Sequence, residues 1–214
     1  PGRPGRDGYC MISGLYSVSA ISRQRIGLFG GSFNPAHDGH LAVSEEALKR
    51  LQLDQVWWLV SPQNPLKDSR DTQDFDDRLA HAKPLAAHPR LIVTGLEAEL
   101  GTRTTAQTFA ALAPMFQHSR FVWIMGADSF AGLHHWNDWR QIPATLPLAV
   151  FARPGWTQAA LSSPAARLLA GHRLDAADAG LLTDRAAPAW CFLNMPLRHE
   201  SSTAIRNGNG ITHS

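Results

Sequence analysis

Residues 25–60 hold an apolar segment, two glycines, an amphipathic segment and a second apolar segment, in that order. Residues 25–29 form a short, mainly apolar segment, as is typical of a buried strand, and this segment ends at Gly30 and Gly31. Over residues 39–51 the apolar positions recur at helical spacing, and residues 55–60 are rich in Val and Trp. This order predicts a βαβ unit, whose two strands are parallel and joined by a right-handed crossover.

The same alternation of strands and helices continues along the chain. Further helices are predicted over residues 75–87 and 105–116 and near Ser201. Further strands are predicted over residues 91–94, 121–125, 148–151 and 189–193, and residues 159–184 indicate helix plus surface loop. Together they predict a single α/β domain over residues 25–214, a doubly wound parallel sheet that binds ligands at the carboxyl ends of its strands. Residues 1–24, which begin rich in Pro, Gly and Arg, are expected to form a flexible tail.

Composition excludes several classes of protein. The 20 basic and 18 acidic residues leave a net charge of +2, so the chain lacks the large positive charge that favours nucleic-acid binding. No apolar run approaches the roughly 18 residues of a membrane span. Cys10 and Cys191 are too few for a disulfide framework or a zinc site. We therefore expect a cytoplasmic protein with neither a nucleic-acid nor a membrane partner, and we leave its oligomeric state open, a homo-oligomer included.

Residues 30–40 read Gly-Gly-Ser-Phe-Asn-Pro-Ala-His-Asp-Gly-His and carry the most specific chemical signal. Two glycines after a strand let the backbone approach a bound phosphate, because no Cβ stands in the way. His37 and His40 are three residues apart, so on the first turn of a helix their imidazoles would converge on one anion. The helix N-terminus adds N–H donors and the positive end of its dipole. The alternatives are a plain tight turn and a histidine metal pair; since no third ligand stands at close spacing, we predict a phosphate site and no protein metal site.

This segment resembles the Gly-Gly-x-Phe-(Asp/Asn)-Pro-x-His-x-Gly-His signature of the nucleotidyltransferase superfamily, whose histidine motif binds the triphosphate of ATP. Residues 201–206, Ser-Ser-Thr-Ala-Ile-Arg, resemble a second motif of the same superfamily. At the start of a helix, Ser202 and Thr203 offer hydroxyl and N–H groups to phosphate, and Arg206 follows one turn later. The resemblance implies a Rossmann-like nucleotidyltransferase fold with a second phosphate clamp.

Other segments between residues 25 and 206 resemble the nicotinate-nucleotide adenylyltransferase family. The loop that ends at Lys67 is similar to its Pro-x-x-Pro-His-Lys loop, whose lysine approaches the phosphates; Leu66 stands in place of the His. Thr105 matches the threonine of its Ser-Tyr-Thr-x-x-Thr segment, which contacts the nicotinate side, and Thr104 replaces the tyrosine. These two departures concern the acceptor side of the site.

The resemblance extends to the segments after two later strands. Gly126 and Asp128 match the family's Gly-x-Asp block, Trp136 matches the tryptophan that stacks on the pyridine ring, and Arg153 matches an Arg-Pro-Gly turn. An indole is a flat surface for an electron-poor ring, and an aspartate at the carboxyl end of a strand reaches a ribose hydroxyl. Taken singly, each residue is explained as well by packing or a solvated turn. Three other tryptophans are interpreted as packing residues: Trp57, Trp58 and Trp139.

The resemblance implies adenylyl transfer from ATP to nicotinate mononucleotide, which forms nicotinate adenine dinucleotide and pyrophosphate in NAD biosynthesis. A phosphate monoester is already an anionic nucleophile near pH 7, so in-line attack needs no covalent intermediate, only charge stabilisation and orientation. Mg²⁺ accompanying ATP and four side chains are expected to provide these: His37, His40, Lys67 and Arg206. The expected ATP-binding residues are Gly30, Gly31, Ser32, Phe33, His37, His40, Gly126, Asp128, Ser202, Thr203 and Arg206. The expected nicotinate mononucleotide-binding residues are Ser32, Lys67, Thr105, Asp128, Trp136 and Arg153.

Three other functions stay open. Pantetheine-phosphate adenylyltransferases share the histidine motif, but their chains are shorter and they leave the Gly-x-Asp block and Trp136 unexplained. A non-catalytic nucleotide sensor would keep the fold, although the intact histidines, Lys67 and Arg206 argue against it. A class I aminoacyl-tRNA synthetase fragment has a related histidine motif, but this chain offers no tRNA-binding region.

Overall fold

The computed structural model describes residues 24–62, 73–116 and 118–195. Within them the protein is an α/β domain built on one seven-stranded sheet. The strands are β1 Arg25–Gly31, β2 Gln55–Val60, β3 Leu91–Thr94, β4 Arg120–Gly126, β5 Leu148–Phe151, β6 Arg173–Leu174 and β7 Trp190–Leu193. The α-helices are α1 Asp38–Arg50, α2 Phe75–Leu85, α3 Leu96–Glu99, α4 Thr105–Met115, α5 Ala127–Ala131, α6 Gln141–Thr145, α7 Thr157–Leu161 and α8 Pro164–Leu168. Three 3₁₀ turns complete the described part: Leu133–His135, Ala170–His172 and Ala176–Asp184.

All neighbouring strands in the sheet are parallel, in the order β3-β2-β1-β4-β5-β7-β6. The chain builds β1, β2 and β3 toward one edge and then returns to place β4 on the other side of β1. The strand order therefore reverses between β1 and β4, and the crevice at the carboxyl ends of these two strands is where such sheets bind ligands. The predicted fold class, a doubly wound parallel sheet, is confirmed.

The core lies in two layers, one on each face of the sheet. Successive residues of a strand point to opposite faces, so Trp57 joins one apolar cluster and Trp58 the other. Helices α3 to α8 contribute to the cluster around Trp57, and α1, α2 and the turn Ala176–Asp184 contribute to the cluster around Trp58. Both indoles are fully buried, and Trp139 is also buried, so the interpretation of these three tryptophans as packing residues is confirmed.

The predicted elements differ from the observed ones mainly where elements are short. Helices α3, α5 and α6 were not predicted, because four or five residues make too few turns to show a helical period. Residues 159–184 contain parts of α7, all of α8, two 3₁₀ turns and β6, where helix plus loop was predicted. The predicted tail lies outside the described residues except for Gln24, and the helix predicted near Ser201 lies wholly outside them. None of the described helices has the length and apolar character needed to cross a membrane.

Candidate active site

His37 and His40 form a reciprocal cap at the start of α1. His37 is the N-cap residue, and its Nδ1 accepts a hydrogen bond from the backbone N–H of Gly39 at 3.1 Å. In return, Nδ1 of His40 accepts a hydrogen bond from the backbone N–H of His37 at 3.2 Å. The ring centroids are 3.9 Å apart. The two imidazoles lie side by side, although His37 precedes the helix rather than standing on its first turn. Their convergence on one anion stays a prediction.

These hydrogen bonds assign the tautomer of both rings. Each Nδ1 is an acceptor, so in a neutral imidazole the proton is on Nε2, which is then a donor. Nε2 of His37 is buried and has no hydrogen-bond partner among the described residues. Buried polar atoms in native proteins are normally paired, so this N–H is suited to a ligand oxygen.

Burial keeps both histidines neutral. It lowers the pKa of His37 to about 4, with a further lowering from the positive charge of Arg153 that the carboxylate of Asp38 opposes. Burial also holds the pKa of His40 well below its usual value, and His37 and Arg153 act in the same direction. A bound polyphosphate acts against these effects, because a nearby negative charge favours the imidazolium form. Near neutral pH the pair therefore offers neutral N–H donors, which gain proton affinity as anionic charge arrives.

Aromatic packing fixes the turn that carries the histidines. Phe33 has a positive φ of 44°, and its ring stacks on Trp58 with centroids 5.0 Å apart. The same ring lies 4.8 Å from that of His40. Nε1 of Trp58 donates to Oγ of Ser44 at 2.7 Å, and that hydroxyl donates to the carbonyl oxygen of His40 at 2.8 Å. Strand β2 thus holds the histidine turn through Trp58, a role that the sequence analysis missed.

Gly30 is required by core packing. A Cβ at this position would lie 2.1 Å from the indole of Trp123, far inside van der Waals contact. β1 also continues through both glycines, with Gly30 opposite Leu59 and Gly31 opposite Val60. The strand was predicted to end before the two glycines, which were explained by the approach of a phosphate or by a plain tight turn. The binding of ATP by Gly30 and Gly31 stays a prediction.

Asp128 and Arg153 meet at the carboxyl ends of β4 and β5. Asp128 stands in the first turn of α5, and Nη1 of Arg153 donates to its Oδ2 at 2.5 Å. Gly126 leaves room for this pair, since a Cβ there would lie 2.5 Å from Oδ1 of Asp128. About a third of each of the two paired side chains is exposed. Two residues predicted from separate motifs therefore form one ion pair, whose arginine is close enough to lower the pKa values of both histidines.

Thr105 and Trp136 stand on other elements. Thr105 is the first residue of α4, and Thr104 is the N-cap, whose hydroxyl accepts from the backbone N–H of Gln107 at 3.3 Å. Threonine is a favoured N-cap residue, which gives Thr104 a structural role in the place of the family's tyrosine. Trp136 follows the turn Leu133–His135 and is half-buried against the apolar cluster that contains Trp57. Their contacts with nicotinate mononucleotide stay predictions.

Arg78 is a buried residue of the site that the sequence analysis did not identify. It stands on α2 with 1% of its surface exposed. Its Nη1 donates to the carbonyl oxygens of Ser32 at 2.6 Å and Ser61 at 2.8 Å, and its Nη2 donates to that of Pro62 at 2.9 Å. Its Nε donates to the carbonyl oxygen of Gln73 at 3.0 Å. No sequence signal identifies it, because one arginine in an amphipathic helix is typical of an exposed face.

Five residues of the prediction lie outside the described part of the chain: Leu66, Lys67, Ser202, Thr203 and Arg206. Within the described residues, four predicted site residues lie near one another at the carboxyl ends of the central strands: His37, His40, Asp128 and Arg153. Within residues 24–62, 73–116 and 118–195, no group of three or more His, Cys, Asp or Glu could hold a metal ion.

Comparisons with known proteins identify the family of the chain. The model of the cytidylyltransferase-like family matches residues 28–208. A probable nicotinate-nucleotide adenylyltransferase of Ruegeria pomeroyi is 53% identical over 187 residues, which cover 87% of each chain. Proteins of the same name from Parvibaculum lavamentivorans and Rhizobium meliloti are 53% and 50% identical, over 87% and 85% of this chain and 92% and 97% of theirs.

A solved structure shares the fold. Plasmodium falciparum nicotinic acid mononucleotide adenylyltransferase, complexed with NaAD, superposes with a TM-score of 0.64 over 86% of this chain and 83% of its own. At 14% sequence identity this likeness concerns the fold alone. The close relatives and the family model go further, since both extend over most of the chain. The chain belongs to the cytidylyltransferase-like family and, within it, to the nicotinate-nucleotide adenylyltransferases.

Proposed function

We propose that this protein transfers the adenylyl group of ATP to nicotinate mononucleotide, releasing pyrophosphate and forming nicotinate adenine dinucleotide. The observation that carries the proposal is the paired cap of His37 and His40 at the carboxyl ends of the strands. In it the buried Nε2 of His37 has no hydrogen-bond partner among the described residues. The membership of the chain in the nicotinate-nucleotide adenylyltransferases supports the choice of substrates.

The reaction is a displacement at the α-phosphorus of ATP. A phosphate oxygen of nicotinate mononucleotide forms a new P–O bond, and the bond from the α-phosphorus to the oxygen of the leaving pyrophosphate breaks. The attacking phosphate is already ionised, so no proton has to be removed from it. The protein's task is to hold two anions in line and to stabilise the charge on the transferring and leaving groups. His37 and His40 do this as N–H donors, and the ring of His37 is buried.

Other residues complete the substrate sites in this proposal. Lys67 and Arg206 clamp the triphosphate, with Ser202 and Thr203 as further donors. On the acceptor side, Trp136 stacks on the pyridine ring and Thr105 contacts its carboxylate. Asp128, already oriented by Arg153, binds a ribose hydroxyl.

Mg²⁺ enters with ATP. The ion is held by the oxygens of the triphosphate, as Mg²⁺ is in many nucleotide sites. When bound, the ion neutralises charge on the phosphate oxygens. ATP is a cytoplasmic metabolite, and we place the reaction in the cytoplasm.

The first experiment measures pyrophosphate release from ATP and Mg²⁺ with three acceptors offered separately: nicotinate mononucleotide, nicotinamide mononucleotide and phosphopantetheine. Fastest release with the nicotinate substrate is the expected result. Release with phosphopantetheine alone would overturn the acceptor site and keep the phosphate site. ATP binding without release in any tube would replace the enzyme by a nucleotide sensor.

A second experiment tests the histidine pair. His40→Ala is expected to lower kcat/KM by about 10²-fold or more, as the loss of a preorganised donor does. His40→Asn retains a side-chain acceptor for the His37 N–H but lacks the Nε2 donor, so it should fold well and be similarly impaired. His172→Ala removes an exposed imidazole from the turn Ala170–His172 and is the matched control. Near-wild-type turnover by a folded His40 variant would refute the role.

A further inference from the structure

Arg78 uses the donors of its buried guanidinium to bind main-chain oxygens, and the guanidinium carbon lies 5.7 Å from the centroid of the Phe75 ring. Its four hydrogen bonds, from Nε, Nη1 and Nη2, all go to carbonyl groups. Among the described residues no carboxylate forms an ion pair with it. Burial lowers the pKa of Arg78, and the carboxylate of Asp74, which is not in direct contact with the guanidinium, offsets this only in part. An arginine is costly to bury without a directly paired counter-charge, so its place in the fold calls for a reason other than net stability.

The carbonyl groups that Arg78 binds belong to the ends of two adjacent strands. Ser32 follows β1 and opens the turn that leads to His37, and Ser61 and Pro62 follow β2 and lead toward Lys67. The guanidinium is planar and its donors have a fixed geometry, so one side chain sets the spacing of both turns. Lysine could supply the charge but not this geometry.

The hydrogen bond to Ser32 also fixes the direction of one peptide group. The Ser32–Phe33 peptide is trans, so its N–H points opposite to the carbonyl that faces Arg78. The positive φ of Phe33 is unfavourable for a residue with a side chain and persists only when its surroundings hold it. The 2.6 Å bond from Arg78 and the stacking on Trp58 supply that hold from two sides.

We propose that Arg78 is a positioning residue for adenylyl transfer, which turns the Ser32 carbonyl away from the triphosphate and directs the Phe33 N–H toward it, while setting the turn after β2 in register. This inference rests on the proposed function. It assigns Arg78 no contact with substrate. A carbonyl facing the phosphates would repel them, so the guanidinium acts by keeping the acceptor side of this peptide out of the site.

The kinetic experiment compares Arg78→Lys with Arg90→Lys. Arg90 also donates to a main-chain carbonyl, that of Leu53 at 3.2 Å, but at the opposite end of the sheet. Arg78→Lys is expected to lower kcat about 10- to 100-fold per folded molecule, with KM for ATP changed less than threefold, because small displacements of reacting groups reduce rate steeply. Arg90→Lys should leave both unchanged. A folded Arg78→Lys variant with kcat within twofold of the wild type would overturn the proposal.

The second readout does not depend on turnover. Backbone amide resonances of the ¹⁵N-labelled wild type are followed as ATP and Mg²⁺ are added, and the Phe33 N–H signal is expected to shift strongly. In Arg78→Lys this shift should fall by at least half. If the wild type binds ATP but the Phe33 N–H signal does not shift, the proposal fails. This outcome needs only the wild type, so it holds whether or not the variant folds. If Phe33 responds as expected and no acceptor releases pyrophosphate, the proposed function fails while the role of Arg78 in orienting the peptide stands.

Discussion

Acid should destabilise the protein through His37. The ring is buried and its pKa is lowered to about 4, against about 6.5 in an unfolded chain. Between these two values the unfolded chain binds more protons than the folded one, so stability rises with pH in this window. The contribution is complete above pH 6.5 and is lost as the pH falls toward 4. Arg153 adds to the effect and Asp38 opposes it.

The size of the effect follows from the shift. A difference of about 2.5 pKa units at about 1.36 kcal/mol each gives roughly 3 kcal/mol over the whole window. Between pH 7 and pH 5, above the titration of most carboxylates, the same linkage gives a loss of about 2 kcal/mol. That is a large part of the stability of a domain of this size, which is typically about 5–15 kcal/mol.

His37→Asn isolates this contribution. Asparagine is among the best N-cap residues, so its side chain should keep the bond from the Gly39 N–H while removing the titration. Urea unfolding at pH 7 and pH 5 gives the loss of unfolding free energy for each protein, and the wild type should lose about 2 kcal/mol more than the variant. All other titrating groups are common to both. Equal losses, or a wild type that gains stability in acid, would refute a neutral buried His37.

Three further predictions concern single contacts. Gly30→Ala should lower the free energy of unfolding in urea by about 1–3 kcal/mol, because the new methyl group meets the Trp123 indole. Gly171→Ala, where a Cβ meets nothing within 4 Å, is the control, and equal effects of the two substitutions would contradict the packing argument. Ser44→Ala leaves the buried Trp58 N–H without its acceptor, so it should lower the free energy of unfolding, measured by thermal melts, by about 1–3 kcal/mol. Ser162→Ala, on the surface, should change it little. Asp128→Asn removes the negative partner of Arg153, so NMR titration should find the pKa of His37 still further below its usual range; a rise would show that Arg153 does not act on it.

Six of the seven described strands were predictable because each is a largely apolar segment that ends at a glycine or a polar turn; β6, which is only Arg173–Leu174, was not predicted. Residues 91–94 and 148–151 were predicted with the bounds that β3 and β5 have. Such buried parallel strands differ sharply from the amphipathic helices between them, so their alternation determined the fold class. Helix α5 could not be read in this way, since its five residues are defined by the turn after β4 rather than by a period.

Contacts within the site were predictable only between residues that are close in sequence, whereas Asp128 and Arg153 were predicted singly, from the family resemblance, and not as a pair. His37 and His40 lie side by side because a helix start places them together, and their spacing revealed it. The pairing of Asp128 with Arg153 is made by the adjacency of β4 and β5, which no local pattern contains. Arg78 was missed for the same reason, because its partners at Ser32 and Ser61 come from other strands.

In each imidazole of the reciprocal cap, Nδ1 holds the start of α1 and Nε2 is left for other contacts. Nδ1 is occupied by a main-chain N–H in both rings, so neither ring can pass a proton from one nitrogen to the other without breaking the start of α1. These two histidines can therefore donate hydrogen bonds to a phosphate but are poor general bases. Water, unlike a phosphate monoester, needs such a base to attack ATP efficiently. In the proposed reaction, the cap thus favours a nucleophile that arrives already ionised and disfavours hydrolysis of ATP by water.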